Sequence, residues 1–332
     1  MRIPVLLSLM PIAVLAAPQT PVPGLRAAQK AILEAFDEGR PLPRVRVRPA
    51  DRLQVAWLES ACGPGRPANP FPRGTKAWKE AQALLALSGP AATGGDLLGA
   101  VRALPLQCLG TQVAFWTWGR DRTRRGEMPR EVREAWEDRL LEPSGHPLLV
   151  EYALRHALCM ALDADDDARF SSLRNRFDEL VPELFLDFQR AFNLLGGHLP
   201  PLRLWTLPGL VVGDPLFPLG GEREIRIQPL EGDALPLFPE GTVWIIPTRE
   251  GGQSLRVADL SGAILEEALG IASRLKAASR TAYLAASRPA LESFGLTFVP
   301  AIIRLDGKGD VTRITMGDPA RITPVPRSGA GR

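Results

Sequence analysis

The sequence is poor in the side chains that carry most enzyme chemistry. Its 332 residues include only three cysteines and three histidines, and no two cysteines are separated by two residues. A dithiol oxidoreductase needs such a pair, so this class of enzyme is almost excluded. The motifs G-x-S-x-G and H-E-x-x-H, which mark hydrolase sites, are absent as well. The sequence therefore predicts no catalytic residue, no metal site and no cofactor.

Charge and hydropathy bound the class of protein without indicating a ligand. The formal net charge is +3 and 45% of the residues are hydrophobic. Such a composition is typical of globular domains. The small net charge gives no reason to expect a nucleic acid as partner. No run beyond the N-terminus is apolar and long enough to span a bilayer, so no transmembrane segment is predicted in the mature chain.

The first residues have the pattern of an export signal. A positive start at Arg2 precedes the apolar run 3–16, and Val14-Leu15-Ala16 fits the specificity of a signal peptidase. An uncleaved membrane anchor is the alternative, but the run is shorter than the roughly 20 residues that a membrane-spanning helix requires. We expect residues 1–16 to be a signal peptide cleaved near Ala16, and the mature protein to be periplasmic.

An oxidising compartment permits a disulfide bond. Cys62 lies in a Gly/Pro loop and Cys108 follows Pro105, so these two are the predicted pair. Cys159 lies within a helical stretch and is interpreted as a small core residue.

The order of patterns along the chain predicts an α+β multidomain protein. Helical periodicity extends over 57–195, and strand patterns begin only after the Pro- and Gly-rich stretch that ends near residue 221. The predicted segments are an extended N-terminal segment with one helix (17–56), a helical domain (57–195), a linker (196–221), a small α/β sheet domain (222–322) and a flexible tail (323–332).

Residues 40–52 alternate arginine with valine and contain three prolines. One interpretation is a basic strand that contacts nucleic acid or an acidic partner. The other is a solvated edge or linker, in which the arginines discourage strand pairing.

Several polar motifs are interpreted as structural. The acidic run 163–167 lacks the glycine and glutamate of an EF-hand and is expected to cap a helix that begins near Ala168. The basic cluster 120–125 is followed by acidic residues and is expected to form a solvated, self-paired helix face. His156 and Cys159 are one helical turn apart, but without further ligands they predict a core pair rather than a metal site.

Strands are predicted at 222–228, 242–247, 281–285, 301–305 and 311–315, with helices at 258–278 and 288–294. The last two strands flank Asp306-Gly307-Lys308-Gly309-Asp310, a hairpin signal. The stretch with Phe294-Gly295 and Val299-Pro300-Ala301 resembles the second half of a thioredoxin-like domain. That resemblance implies a cis bond between Val299 and Pro300, whose turn exposes backbone groups to an extended peptide. Phe294, Gly295, Val299, Pro300 and Ala301 are therefore the predicted binding residues.

The motif Phe-Gly-Leu-x-x-Val-Pro-Ala is also similar to the C-terminal parts of TraW and TrbC, which are proteins of F-type conjugative transfer systems. This resemblance, over about 30 residues, implies a thioredoxin-like domain without CxxC that serves pilus assembly or a type IV secretion system in the periplasm. The expected function is a non-enzymatic assembly or binding protein with envelope or secretion-apparatus proteins as partners. The alternatives are an envelope hydrolase with an unrecognised site and a structural helical oligomer.

Overall fold

The computed structural model describes residues 24–63, 67–87, 96–214, 222–230, 235–247, 262–285 and 300–317. Within these ranges the protein is a mixed α/β structure with ten α-helices and one seven-stranded sheet. The predicted signal peptide and C-terminal tail lie outside the described residues.

Nine helices precede the sheet in the described ranges. They are α1 (Leu25–Asp37), α2 (Arg52–Cys62), α3 (Lys76–Leu87), α4 (Leu97–Ala103), α5 (Leu109–Arg124), α6 (Arg130–Leu140), α7 (Pro147–Asp163), α8 (Asp167–Phe177) and α9 (Pro182–Phe192). A 3-10 turn, Pro49–Asp51, leads into α2. Residue 57, where the helical domain was predicted to begin, lies inside α2.

Helix starts follow the capping residues of the sequence. The side chain of Asp96 accepts a hydrogen bond from the Gly99 N–H (2.6 Å), and that of Asp166 accepts one from the Arg169 N–H (3.0 Å). These contacts satisfy backbone donors that the first helical turn leaves free. The acidic run 163–167 therefore caps α8, as expected.

Apolar and aromatic residues at helical spacing form the core of the helical region. Aromatic residues are buried along α8 and α9, where Phe170, Phe185 and Phe188 have 1% exposure or less. Helix α5 is enclosed on most sides. A Cβ atom at Gly119 would lie 2.1 Å from the Trp136 ring, so glycine allows α5 and α6 this close approach.

The sheet contains β1 (Leu204–Leu207), β2 (Val211–Gly213), β3 (Arg223–Ile227), β4 (Val243–Pro247), β5 (Ala282–Ala285), β6 (Ala301–Leu305) and β7 (Val311–Met316). Helix α10 (Gly262–Ala277) connects β4 to β5. The strand order is β2-β1-β5-β4-β3-β6-β7. Strands β3, β4 and β5 are parallel, and the other neighbours pair antiparallel.

The segment 196–221, predicted to be a linker, contains β1 and β2. Strand β1 pairs with β5, where Leu207 lies opposite Ala282. Leu204, Trp205 and Leu207 are buried, so β1 is an interior strand of the sheet. Its four residues are followed directly by Pro208 and Gly209, and this turn composition obscured so short a strand in the sequence.

The helices and the sheet are not separated by a gap in the core. One hydrophobic cluster runs from the helices into one face of the sheet, where it includes Ile225, Ile303 and Ile314. A second cluster lies on the other face, between the sheet and α10. The sheet is thus sandwiched between the helical region and α10.

An ionic contact ties the helices to the sheet. Arg313 on β7 donates to both carboxylate oxygens of Asp163 at the end of α7, at 2.8 and 2.5 Å, and the Thr315 hydroxyl donates to the same carboxylate at 2.5 Å. Burial favours the protonated carboxyl, but the bonds from Arg313 and Thr315 outweigh it and lower the pKa of Asp163.

Candidate functional site

The predicted binding site meets the sheet where β6 begins. Ala301 is 1% exposed and pairs with Ile227 of β3 on one side and with Met316 of β7 on the other. Pro300 is half-buried, and its carbonyl accepts a hydrogen bond from the Gly317 N–H at 2.9 Å. Both edges of β6 are therefore occupied, and a visiting chain would have to pair with residues ahead of Pro300.

Three of the five predicted binding residues, Phe294, Gly295 and Val299, lie outside the described residues, and so does the Val299–Pro300 peptide bond. The described ranges contain a cis bond between Leu207 and Pro208 instead. Of the predicted residues, the structure thus brings Pro300 and Ala301 to one strand end.

Pro300 lies at the edge of the sheet where many α/β proteins bind ligands. Strands β3, β4 and β5 run parallel and end at Ile227, Pro247 and Ala285. Because β6 runs antiparallel to β3, its first residue lies at this same edge. In open α/β sheets, ligands bind outside the carboxyl ends of the parallel strands.

The described residues that end or flank β3 to β7 at this edge have no titratable side chain. They are Ile227, Gln228, Pro247, Ala285, Pro300, Ala301, Met316 and Gly317. Arg203, before β1, and Asp214, after β2, lie at the same edge but on the side of the sheet away from Pro300. The part of the edge around Pro300 therefore suits main-chain pairing and apolar contact better than proton transfer.

A buried charge cluster lies elsewhere, among the helices. Nδ1 of His156 on α7 is 2.8 Å from Oε1 of Glu137 on α6. The other carboxylate oxygen of Glu137 accepts a hydrogen bond from Arg169 of α8 at 3.2 Å. Arg169 also donates to Asp138 at 3.0 Å. His156 and Glu137 are 0% and 1% exposed.

Two tryptophans enclose the His156 ring. Trp116 and Trp136 stack on each other at 5.2 Å, and the imidazole meets both at an interplanar angle of 89°. A Glu–His pair could act as a general base if a substrate reached the free Nε2. Here that atom is buried, so we assign the cluster a structural role in joining three helices. The predicted core location of His156 and Cys159 is confirmed, but Glu137 as the partner of His156 was not foreseen.

The basic cluster 120–125 is only partly a solvated helix face. Arg120 and Arg122 are 6% and 9% exposed, contrary to prediction. Arg122 lies over the Trp118 ring, 5.6 Å from its centroid, because the long side chain packs along α5. Arg125 is exposed and pairs with Glu127 at 2.9 Å, as predicted for this face.

The three cysteines are free in the structure, so the predicted disulfide between Cys62 and Cys108 is absent from it. The Cys62 thiol lies in the hydrophobic core, where burial raises its pKa to about 12. Cys108 begins α5 beside buried Glu80, which accepts a hydrogen bond from the Cys108 N–H at 2.8 Å. Burial and this carboxylate raise the pKa of Cys108 to about 11.

Two negative findings apply to the described ranges. No group of three or more His, Cys, Asp or Glu side chains is arranged to hold a metal ion there. None of the described helices combines the length and the apolar character needed to cross a membrane.

No protein-family model matches the sequence, and no curated protein matches it significantly. Among solved structures, a thioredoxin-like protein from Bacteroides caccae matches with a TM-score of 0.27 and 10% identity, over 85% of this chain and 95% of that one. A superposition this loose does not establish a shared fold, so the thioredoxin-like assignment remains a proposal.

Proposed function

We propose that the protein is an exported, non-enzymatic binding or assembly protein that receives an extended partner segment beside Pro300. The observation that carries this proposal is the position of Pro300 at the carboxyl edge of three parallel strands. Since β6 is paired on both sides, binding would use the residues that lead into Pro300. The described residues that end or flank β3 to β7 at this edge have no titratable side chain, which supports binding over catalysis.

The sequence suggests a finer version of this proposal. The export signal at 1–16 directs the protein to the periplasm, and Phe294 to Ala301 resembles the corresponding part of the TraW and TrbC proteins. On this basis the partner would be a component of a conjugative pilus or type IV secretion apparatus, and residues 222–322 would form a thioredoxin-like domain without its dithiol.

Site-specific photocrosslinking tests the proposal directly. A photoreactive amino acid at Val299 should yield a crosslinked envelope protein, whereas the same group at exposed Arg102 should not. The variant Pro300→Ala should abolish the product, and Pro129→Ala, at an exposed helix start, should retain it. An undiminished product in folded Pro300→Ala, or no product from Val299, would refute the proposed surface.

The hydrolase alternative takes second place. Its best candidate among the described residues, the Glu137–His156 pair, is enclosed by tryptophan rings and closed to substrate.

A further inference from the structure

An extended segment links α1 to the 3-10 turn at Pro49. Residues 42–48, called the basic segment below, belong to no helix and no strand. Pro41, Pro43 and Pro49 lie in or beside it, and each fixes φ near the value of extended backbone. The segment is therefore held straight without a neighbouring strand.

Side chains of the basic segment alternate between the core and solvent. Leu42, Val45 and Val47 are partly buried and pack against the hydrophobic core of the helical region. Arg44, Arg46 and Arg48 are exposed. The two valines thus anchor the segment and fix the side on which the three guanidinium groups stand.

Neither the arginines nor the backbone of this segment is engaged in the part of the chain that the structure describes. Arg44, Arg46 and Arg48 form no ion pair there, whereas Arg40, just before them, pairs with Glu38. The backbone groups of residues 41–47 likewise have no hydrogen-bond partner within the described ranges. An open backbone edge and an unpaired row of cations therefore coincide.

We propose that the basic segment is a docking strand for an extended acidic peptide of a partner protein. In extended backbone, every second side chain is about 7 Å from the last on the same face. A partner strand with acidic residues at alternate positions has the same period, so three carboxylates can stand opposite three guanidinium groups. Its main chain would meanwhile pair with the open backbone of residues 44–47, as in strand addition to a sheet edge.

The two features together select the class of partner. A nucleic acid or an anionic lipid surface would attract the arginines, but neither supplies alternating N–H and C=O groups for the backbone edge. A peptide strand supplies both. This surface belongs to the helical side of the molecule and is independent of the proposed contact at Pro300.

Binding of two isomeric peptides to the purified protein provides the test. The probe is Thr-Glu-Val-Glu-Val-Glu-Thr, with blocked ends and a neutral fluorescent label, measured by anisotropy at low ionic strength. Its isomer Thr-Val-Glu-Glu-Glu-Val-Thr has the same charge but the wrong period. We expect the alternating peptide to bind at least about tenfold more tightly, because three cross-strand charge pairs and the backbone ladder form together. Equal affinities, or no binding, would overturn the proposal.

Two variants of equal charge locate the site. Arg44→Glu with Arg46→Glu and Arg48→Glu should abolish binding of the alternating peptide. Arg73→Glu with Arg124→Glu and Arg203→Glu replaces three other exposed arginines and should retain binding. Loss in both variants would indicate general charge attraction and contradict a docking strand. Circular dichroism checks the fold, and the neutral Arg→Gln triple at 44, 46 and 48 should weaken binding without reversing charge.

Competitors separate the remaining classes of partner. A single-stranded oligonucleotide and vesicles containing anionic phospholipid should displace the alternating peptide only weakly. If either binds the basic segment more tightly than the peptide does, the partner is of another class and the proposal is wrong.

Discussion

The helical region and the sheet differ in whether their buried side chains are polar. Every buried polar or charged residue that the structure describes lies between α3 and α7: Glu80, Thr111, Gln112, Arg120, Arg122, Glu137 and His156. The buried positions of the described strands are apolar, for example Ile225, Ile245 and Ile303. The helices are thus joined by polar networks inside the core, while the sheet keeps its charges on its surface.

This difference separates groups that stabilise the fold from groups that are free to bind another molecule. A charged cluster in a closed core orients helices, since each group must find a partner when it leaves water. An open backbone edge or strand end is free to meet another molecule. The buried charges of the helical region therefore have a structural role. Both proposed binding surfaces use open backbone instead, together with three exposed arginines at the basic segment.

The largest effect should come from opening the buried network. Glu137→Leu leaves His156 and Arg169 without their shared carboxylate in the core. Removal of one partner from a buried ionic cluster costs about 3–5 kcal/mol, so we expect a loss of that size in the free energy of unfolding. Urea denaturation at pH 7 measures it.

The matched change in the sheet should be mild. Glu224 accepts hydrogen bonds from Arg226 at 2.5 Å and Arg304 at 3.3 Å on the surface of the sheet. Ion pairs of this kind contribute about 1 kcal/mol or less, so Glu224→Leu should cost far less than Glu137→Leu. Similar losses in both variants would contradict the contrast between the two regions.

A smaller effect is expected where the two regions meet. Asp163→Asn removes the charge that Arg313 and Thr315 bind. Hydrogen bonds to charged groups contribute about 1.5–3 kcal/mol, and the partial exposure of Arg313 reduces this, so we expect a loss of about 1–2 kcal/mol. The difference in urea midpoint between wild type and Asp163→Asn gives the value.

The same contact predicts a pH dependence with a definite sign. Because the pKa of Asp163 is lowered in the folded state, its stabilising contribution is complete above the ordinary value of 3.8 and disappears as the pH falls through the lowered value. The wild type and Asp163→Asn should therefore differ at pH 6 and converge as the pH falls through the lowered pKa of Asp163. A difference that grows on acidification would disprove this origin.

These contacts also show how far the sequence could lead. The strands from β3 to β7 follow from short apolar runs and from the Asp306–Asp310 hairpin, and the start of α8 follows from the acidic run 163–167. All of these are local signals. Helix α5 was not predicted as an individual helix, because consecutive residues from Gly110 to Trp116 are buried and leave no amphipathic period.

The missed contacts are long-range ones. Asp163 and Arg313 are 150 residues apart in sequence, and only the packing of α7 on β7 brings them together. The sequence shows Glu137 as one of several acidic residues on a charged helix. Its contact with His156 depends on the packing of α7 against α6. At the candidate site, the sequence could place Pro300 before a strand, but not that β3 and β7 would enclose Ala301 on both sides.

The last prediction concerns the accessibility of the thiols in the helical region, and its effect on stability is expected to be the smallest. The pKa values of about 12 for Cys62 and about 11 for Cys108 leave little thiolate at pH 8, and the thiolate is the nucleophile. Iodoacetamide should therefore react slowly with Cys108, which is half-buried. It should react with the buried Cys62 and Cys159 only after unfolding. Labelling of the purified protein in urea without reductant, read by mass, should modify all three cysteines. A product carrying one label, restored to three by prior reduction, would mean that two of the cysteines form a disulfide bond and would contradict the free thiols of the structure.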